Sequence, residues 1–131
     1  MGLVLIDSTT FGEIEMKVVI NRCYGGFGLS HEGVLRYAEL KGMNLVVEEK
    51  ESSFNRYDYY VDEVKKENFW YDSMIEDRSD SALVQVVEEL GEKANGWAAE
   101  LAVVDIPDDV EWYVEEYDGI EWVAEVHRTW R

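Results

Sequence analysis

The stretch VEWYVEEYDGIEWVAEV, residues 110–126, places Asp118-Gly119 between two runs of alternating polar and apolar residues. An Asp-Gly pair in this position predicts a two-residue β-hairpin, because glycine tolerates the positive φ that primed turns need. Alternation also predicts one apolar face on each arm. The residues predicted to share these faces are Val110, Trp112 and Val114 on the first arm and Ile120, Trp122, Ala124 and Val126 on the second.

Two helices are predicted before this hairpin. Ser30 can cap a helix over residues 31–41, and Asp80 can cap a second helix over residues 81–94. Each segment carries apolar residues at helical spacing. The residues predicted to end the two helices are Gly42 for the first and Asn95-Gly96 for the second.

Short β-branched or aromatic runs predict the remaining strands. The predicted strand segments are residues 13–24, 44–50, 57–61, 69–75 and 97–107. A helix over residues 61–74 is the alternative for the tyrosine-rich middle of the chain. The predicted fold class is α+β, a mainly antiparallel sheet with two helices and a C-terminal β-hairpin. At 131 residues, the chain 1–131 is predicted to form a single domain.

The charge of the chain is strongly one-sided: 29 acidic residues against 12 Lys and Arg give a formal net charge of -17. Such a field repels phosphate backbones over a Debye length of about 8 Å, so direct nucleic-acid binding is not expected. Solubility alone explains surface charge of this kind. The sharper interpretation is mimicry of a nucleic acid's charge, or docking onto a basic partner.

Composition also bears on location and on metal binding. Cys23 is the single cysteine, which excludes an internal disulfide framework and fits a reducing compartment. The segment MGLVLIDSTTFGE, residues 1–13, has neither the basic flank of a signal peptide nor the length of a membrane span. We therefore expect a cytoplasmic protein. One cysteine and two histidines cannot build a metal site without carboxylates, so neither a metal nor a cofactor is expected.

The glycine-rich loop NRCYGGFGLSHEG, residues 21–33, is the most distinctive local motif. It lacks the third glycine of a dinucleotide fingerprint and the lysine of a phosphate-binding P-loop. A loop before a helix N-terminus nevertheless offers backbone N–H groups to an anion, and nearby arginines add positive charge. A structural turn and a ligand pocket both remain open. The candidate ligand-binding residues are Arg22, Tyr24, Gly25, Gly26, Phe27, Gly28, Ser30, His31, Arg36 and Arg128.

Aromatic residues are concentrated in the middle of the chain. They are Tyr57, Tyr59, Tyr60, Phe69, Trp70 and Tyr71. Either they stack a planar ligand, or they close a homo-oligomer interface. His31, His127 and Cys23 have no nucleophile signature around them, so the sequence favours a non-catalytic protein and leaves an enzyme open.

Three blocks together resemble a family of small uncharacterised proteins encoded by phages and prophages. They are VVINRCYGGFGLS (18–30), DRSDSALVQVVEELGEKANG (77–96) and VVDIPDDVEWYVEEYDGIEWVAEVHRTW (103–130). The resemblance transfers no catalytic residue. It implies an accessory protein of the host bacterial cytoplasm that sequesters a nucleotide signal of host defence or blocks a host enzyme by direct contact.

Two functional hypotheses follow. In the first, the glycine loop and nearby arginines bind a small phosphorylated or nucleotide-like ligand without catalysis. In the second, residues 105–125, which contain nine acids and no Lys or Arg, dock on a basic protein as an inhibitor or charge mimic. The candidate residues of this second surface are Glu111, Trp112, Glu115, Glu121 and Trp122.

Overall fold

The computed structural model describes residues 15–51 and 56–126 and confirms an α+β fold with two helices and a hairpin formed by its last two strands. The helices are α1 (His31–Lys41) and α2 (Ser81–Leu90). The strands are β1 (Glu15–Asn21), β2 (Leu45–Glu49), β3 (Tyr57–Val61), β4 (Phe69–Trp70), β5 (Leu101–Pro107), β6 (Trp112–Tyr117) and β7 (Ile120–Glu125).

Within the described ranges the strands form three small antiparallel sheets rather than one continuous sheet. β1 pairs with β5, β2 and β4 flank β3, and β6 pairs with β7. The predicted hairpin is confirmed: Tyr117 pairs with Ile120 across a two-residue turn. In that turn Asp118 has φ 51° and Gly119 has φ 94°. Both values are positive, as a type I′ turn requires.

Both predicted helix starts are confirmed. The Ser30 hydroxyl accepts a hydrogen bond from Gly33 N at 3.0 Å, and the Asp80 carboxylate accepts one from Ala82 N at 2.8 Å. α1 ends at the predicted Gly42, whose φ is 70°. α2 ends at Leu90, four residues before the predicted end, and a 3-10 turn over Gly91–Ala94 follows it.

The core lies between the two helices and the β1–β5 sheet. α2 turns Leu83 and Val86 inward, and both are fully buried. In β1 the consecutive residues Val18 and Val19 are also fully buried. Both faces of the second half of β1 are therefore covered, which explains why residues 18–20 are a continuous apolar run instead of an alternating one.

The tyrosine-rich middle is only partly strand. β3 confirms the first predicted strand, but the second is limited to Phe69–Trp70 because a 3-10 turn follows at Asp72–Met74. The alternative helix over residues 61–74 is not formed: this stretch contains bends, two short 3-10 turns and β4. The short β4 brings the aromatic rings of this region toward the N-terminal end of α1.

Candidate functional site

One side of the glycine-rich loop packs tightly against other backbone segments. Gly25 has φ 130°, and a Cβ there would collide with the carbonyl oxygen of Ala98. A Cβ on Gly119 would lie 2.6 Å from Gly25 N, so the hairpin turn also touches the loop. A Cβ on Gly96 would lie 2.9 Å from the carbonyl carbon of Gly28. At these contacts, Gly25, Gly96 and Gly119 permit a close approach of backbones that a side chain would prevent.

Asn21 ties this junction together. Its side chain is fully buried, and its amide nitrogen donates to the carbonyl oxygens of Cys23 at 2.8 Å and Gly119 at 2.7 Å. Its side-chain oxygen accepts from Glu100 N at 2.7 Å. One buried amide therefore connects β1, the glycine loop, the hairpin turn and the segment before β5. Because its polar atoms are satisfied, this buried group stabilises the junction.

Glu121 belongs to the same junction, which corrects its sequence-based assignment to a partner-binding surface. It is 8% exposed, and its carboxylate accepts from the Arg78 guanidinium at 2.6 and 2.9 Å and from Asn21 N at 2.8 Å. Arg78 also lies 3.9 Å from the centre of the Phe27 ring. The two-residue turn sets the register, which pairs Glu121 with Glu116. In this register the Glu121 side chain lies on the hairpin face that is turned toward the glycine loop.

The other side of the glycine loop is open. It forms one wall of a cleft of about 820 Å³, whose remaining walls come from β3, β4 and the segment before β5. Ligand clefts in proteins fall in the same range, about 300 to 1,000 Å³. The aromatic residues that line it are Phe27, Tyr57, Tyr59, Phe69, Trp70, Tyr71 and Trp97. We call this space the aromatic cleft.

His31, the first residue of α1, is held in this wall by two tyrosines. Its ring stacks on Tyr57 with centroids 3.7 Å apart and an interplanar angle of 9°. Its Nδ1 lies 2.7 Å from the Tyr59 hydroxyl. Burial, helped by the nearby Asp72 and Tyr57, raises the pKa of Tyr59 to about 12, so this phenol stays protonated near neutral pH. The imidazole is therefore oriented before any ligand enters.

The anion position expected at the start of α1 is already occupied by groups of the protein itself. Leu29 N donates to the Asp72 carboxylate at 2.8 Å, and Ser30 N donates to the Ala94 carbonyl oxygen at 2.9 Å. The Ser30 hydroxyl accepts from Gly33 N and donates to Lys93 O. The N–H groups of Leu29 and Ser30 thus already donate to the Asp72 carboxylate and to a main-chain oxygen. This position does not favour a phosphate.

The predicted arginines do not reach the aromatic cleft. Arg36 pairs with Glu89 at 2.8 Å and with Glu39 at 2.7 Å, on the side of α1 that faces α2. Arg22 and Tyr24 are exposed and do not line the cleft. Arg128 lies outside the described residues. The predicted ligand residues that the structure does bring together at the cleft are Gly25, Gly26, Phe27, Gly28, Ser30 and His31.

The cleft residues that the sequence alone does not single out include Arg56, Asp72 and Trp97. Trp97 is 88% exposed at the edge of the cleft. The Arg56 guanidinium has no ion-pair partner within residues 15–51 and 56–126. The position of Arg56 beside the tyrosine run is the signal that could have identified it. Asp72 and Trp97 lie far from the loop in sequence, so no local pattern marks them.

Cys23, another candidate for chemistry, has structural partners. The Cys23 thiol donates to the Ala98 carbonyl oxygen at 3.3 Å and lies 3.6 Å from the Asn21 side-chain oxygen. His127 lies outside the described residues. In the part of the chain that is described, no group of three or more His, Cys, Asp or Glu is arranged to hold a metal ion. Over the same residues, no helix has the length and apolar character needed to cross a membrane.

No protein-family model, curated protein or solved structure matches the chain.

Proposed function

We propose that this protein binds, without catalysis, a small nucleotide-like molecule whose planar ring enters the aromatic cleft. The observation that carries the proposal is the cleft itself, a space of about 820 Å³ lined by seven aromatic rings and by His31. Aromatic faces bind planar heterocycles by stacking, at about 1 to 3 kcal/mol for each base. The ring is therefore the main recognition element.

Exposed rings at the cleft provide surfaces on which a ligand can stack. Trp97 is 88% exposed, Tyr71 is 48% exposed and Phe69 is 38% exposed. The buried Trp70 and the hydrogen-bonded pair of His31 and Tyr59 line the same cleft. A site with a fixed inner wall and accessible rings at its edge loses little conformational freedom when a ligand binds.

Charge favours a ligand with one anionic group. Asp72 is engaged by Leu29 N, and Asp58 pairs with Lys50 at 3.3 Å. The guanidinium of Arg56 is thus the group in the lining that suits a phosphate or carboxylate, which arginine binds through two parallel hydrogen bonds. We assign the anion to Arg56, in place of the Arg22 and Arg36 expected from the sequence.

Calorimetric titration of a nucleoside 5′-monophosphate series and of the matching nucleosides tests this assignment. Trp97→Ala is expected to weaken both kinds of ligand by about tenfold, since a stacking surface is lost. Arg56→Gln is expected to weaken only the monophosphates, to the level of the nucleosides. Tyr24→Ala is the matched control, because this exposed aromatic residue belongs to the loop but does not line the cleft.

Two results would overturn the proposal. One is the absence of saturable binding across both series. The other is an equal loss of affinity in Trp97→Ala and Tyr24→Ala, which would place binding outside the cleft. Retained monophosphate affinity in Arg56→Gln would contradict the assignment of the anion alone.

The proposed cellular role rests on the resemblance to phage-encoded proteins and on the single cysteine. A binder of this kind in the bacterial cytoplasm would sequester a nucleotide signal of host defence. It would act by lowering the free concentration of that signal, so it needs an amount of protein comparable to the amount of ligand and no turnover.

A further inference from the structure

The β6–β7 hairpin has two chemically different faces. The face toward the glycine loop carries Trp112, Val114 and the buried Glu121, which line a cavity of about 460 Å³ together with Phe27 and Arg78. The opposite face, which we call the outer face, is defined by the remaining cross-strand pairs. These pairs are Tyr113 with Ala124, Glu115 with Trp122, and Tyr117 with Ile120.

Aromatic side chains on the outer face are open to solvent. Tyr117 is 71% exposed, Tyr113 is 43% exposed and Trp122 is 42% exposed. Glu115 lies directly opposite Trp122, and its carboxylate accepts a hydrogen bond from the Tyr113 hydroxyl at 3.1 Å. One carboxylate is thus held among three exposed aromatic rings. This combination is rare on an ordinary solvated surface, where aromatic residues occur singly.

The face toward the glycine loop shows what a carboxylate beside an aromatic ring binds in this protein. There, Arg78 is held by the Glu121 carboxylate through two hydrogen bonds and by the Phe27 ring at 3.9 Å. The outer face offers the same two elements, a carboxylate and aromatic rings. Residues 105–125 contain no Lys or Arg that could fill it from within the hairpin. Guanidinium groups pair with carboxylates and stack on aromatic faces better than ammonium groups do.

We propose that the outer face docks an arginine-bearing basic patch of a partner protein, with Glu115 and Trp122 as its centre. Charge complementarity identifies the occupant: the chain carries a net charge of -17, and nine acids lie within residues 105–125. A second copy of the same chain would bring an equal negative charge, which opposes self-association at this face. Nucleic acid is disfavoured for the same reason.

This surface is separate from the aromatic cleft, and none of its residues lines that cleft. It keeps two residues of the sequence-based partner surface, Glu115 and Trp122, and adds Tyr113 and Tyr117. Trp112 and Glu121 lie on the face toward the glycine loop, and Glu111 precedes β6. Failure of one proposal therefore leaves the other standing.

Binding of a nine-residue arginine peptide to the full chain tests the proposal, with a nine-residue lysine peptide as the comparison. We expect the arginine peptide to bind more tightly. Glu115→Gln and Trp122→Ala are each expected to weaken its binding by about tenfold, as the loss of a charge-assisted contact or an aromatic face predicts. Glu92→Gln is the matched control, since it removes one exposed carboxylate outside the hairpin.

The contrasting outcomes are equally specific. Equal affinity for the two peptides, or an equal loss in Glu115→Gln and Glu92→Gln, would mean that only net charge is sensed and would overturn the proposal. Sedimentation that shows a dimer disrupted by Trp122→Ala would also overturn it, because a second copy would then cover the face. The indole NMR signals of Trp122 and Trp97 report on the outer face and on the aromatic cleft, respectively. The proposal requires that the arginine peptide change the chemical shift of Trp122 at lower peptide concentration than that of Trp97.

Discussion

The two sides of the glycine-rich loop differ in what they leave available. At Gly25 the loop approaches Ala98 and Gly119 so closely that a side chain has no space. Toward β3 and β4, the same loop borders a cleft of about 820 Å³. One short segment therefore serves as a packed junction and as the wall of an open site.

This difference explains why a glycine-rich sequence is a weak functional signal. Gly25 is accounted for by its close approach to Ala98, and Gly26 by its positive φ of 125°, independently of any ligand. The groups proposed to bind a ligand, the aromatic rings of the cleft and Arg56, come mostly from other parts of the chain. We therefore expect substitutions at the packed junction to affect folding and those of the aromatic rings to affect binding.

The largest expected effect on folding comes from breaking the ion pair of the junction. Arg78→Met leaves Glu121, which is 8% exposed, without its charged partner. A buried carboxylate left alone costs about 3 kcal/mol of unfolding free energy. Urea denaturation of the variant measures this loss.

The double substitution Arg78→Met with Glu121→Met provides the control. With neither charge buried, stability is expected to recover by about 2 kcal/mol relative to Arg78→Met. A double variant as unstable as the single one would show that Arg78 stabilises the junction through packing on Phe27 instead of through the ion pair.

A smaller difference in stability is expected between alanine substitutions at two adjacent glycines. Gly25 and Gly26 both have positive φ, at 130° and 125°, but a Cβ on Gly26 meets no atom within 4 Å. Gly26→Ala should carry backbone strain alone, whereas Gly25→Ala adds a collision with Ala98. We expect Gly25→Ala to be less stable than Gly26→Ala by about 2 kcal/mol. Equal denaturation midpoints for the two variants would contradict a closed junction at Gly25.

The smallest expected effect on folding lies in the cleft. Tyr71 is 48% exposed and contacts the Phe69 ring at a centroid distance of 5.6 Å. Tyr71→Ala is expected to change the unfolding free energy by less than about 1 kcal/mol. The same variant should weaken nucleotide binding, because a ring of the cleft wall is removed. A thermal melt of the free variant measures its stability, and a nucleotide titration measures its binding. A large loss of stability would contradict the prediction, because it would show that the Tyr71 ring belongs to the hydrophobic core.

The elements that the sequence predicts well are those specified by neighbouring residues. Ser30 and Asp80 cap helices through hydrogen bonds to N–H groups three and two residues away. The hairpin is specified by Asp118-Gly119, where the turn alone sets the register. Such signals act within a few residues, so they are visible in an isolated segment.

The parts that the sequence predicts poorly depend on distant segments. Glu121 is inward because it meets Arg78, 43 residues away, and Asn21, 100 residues away. Asp72 reaches the N–H of Leu29 across 43 residues. Alternation predicts that a residue lies on one face of a strand, but it does not identify which face becomes buried. The arrangement of the cleft follows from these long-range contacts.

The hydrogen bond from Asn21 to Gly119 spans 98 residues, and this separation bears on synthesis of the chain. At about 5 to 20 residues per second, a ribosome adds the hairpin turn about 5 to 20 seconds after Asn21. Until then the buried amide lacks one of its acceptors, and the glycine loop has no turn to pack against. The wall of the aromatic cleft on the other side of that loop is therefore completed only after the hairpin turn has been synthesised.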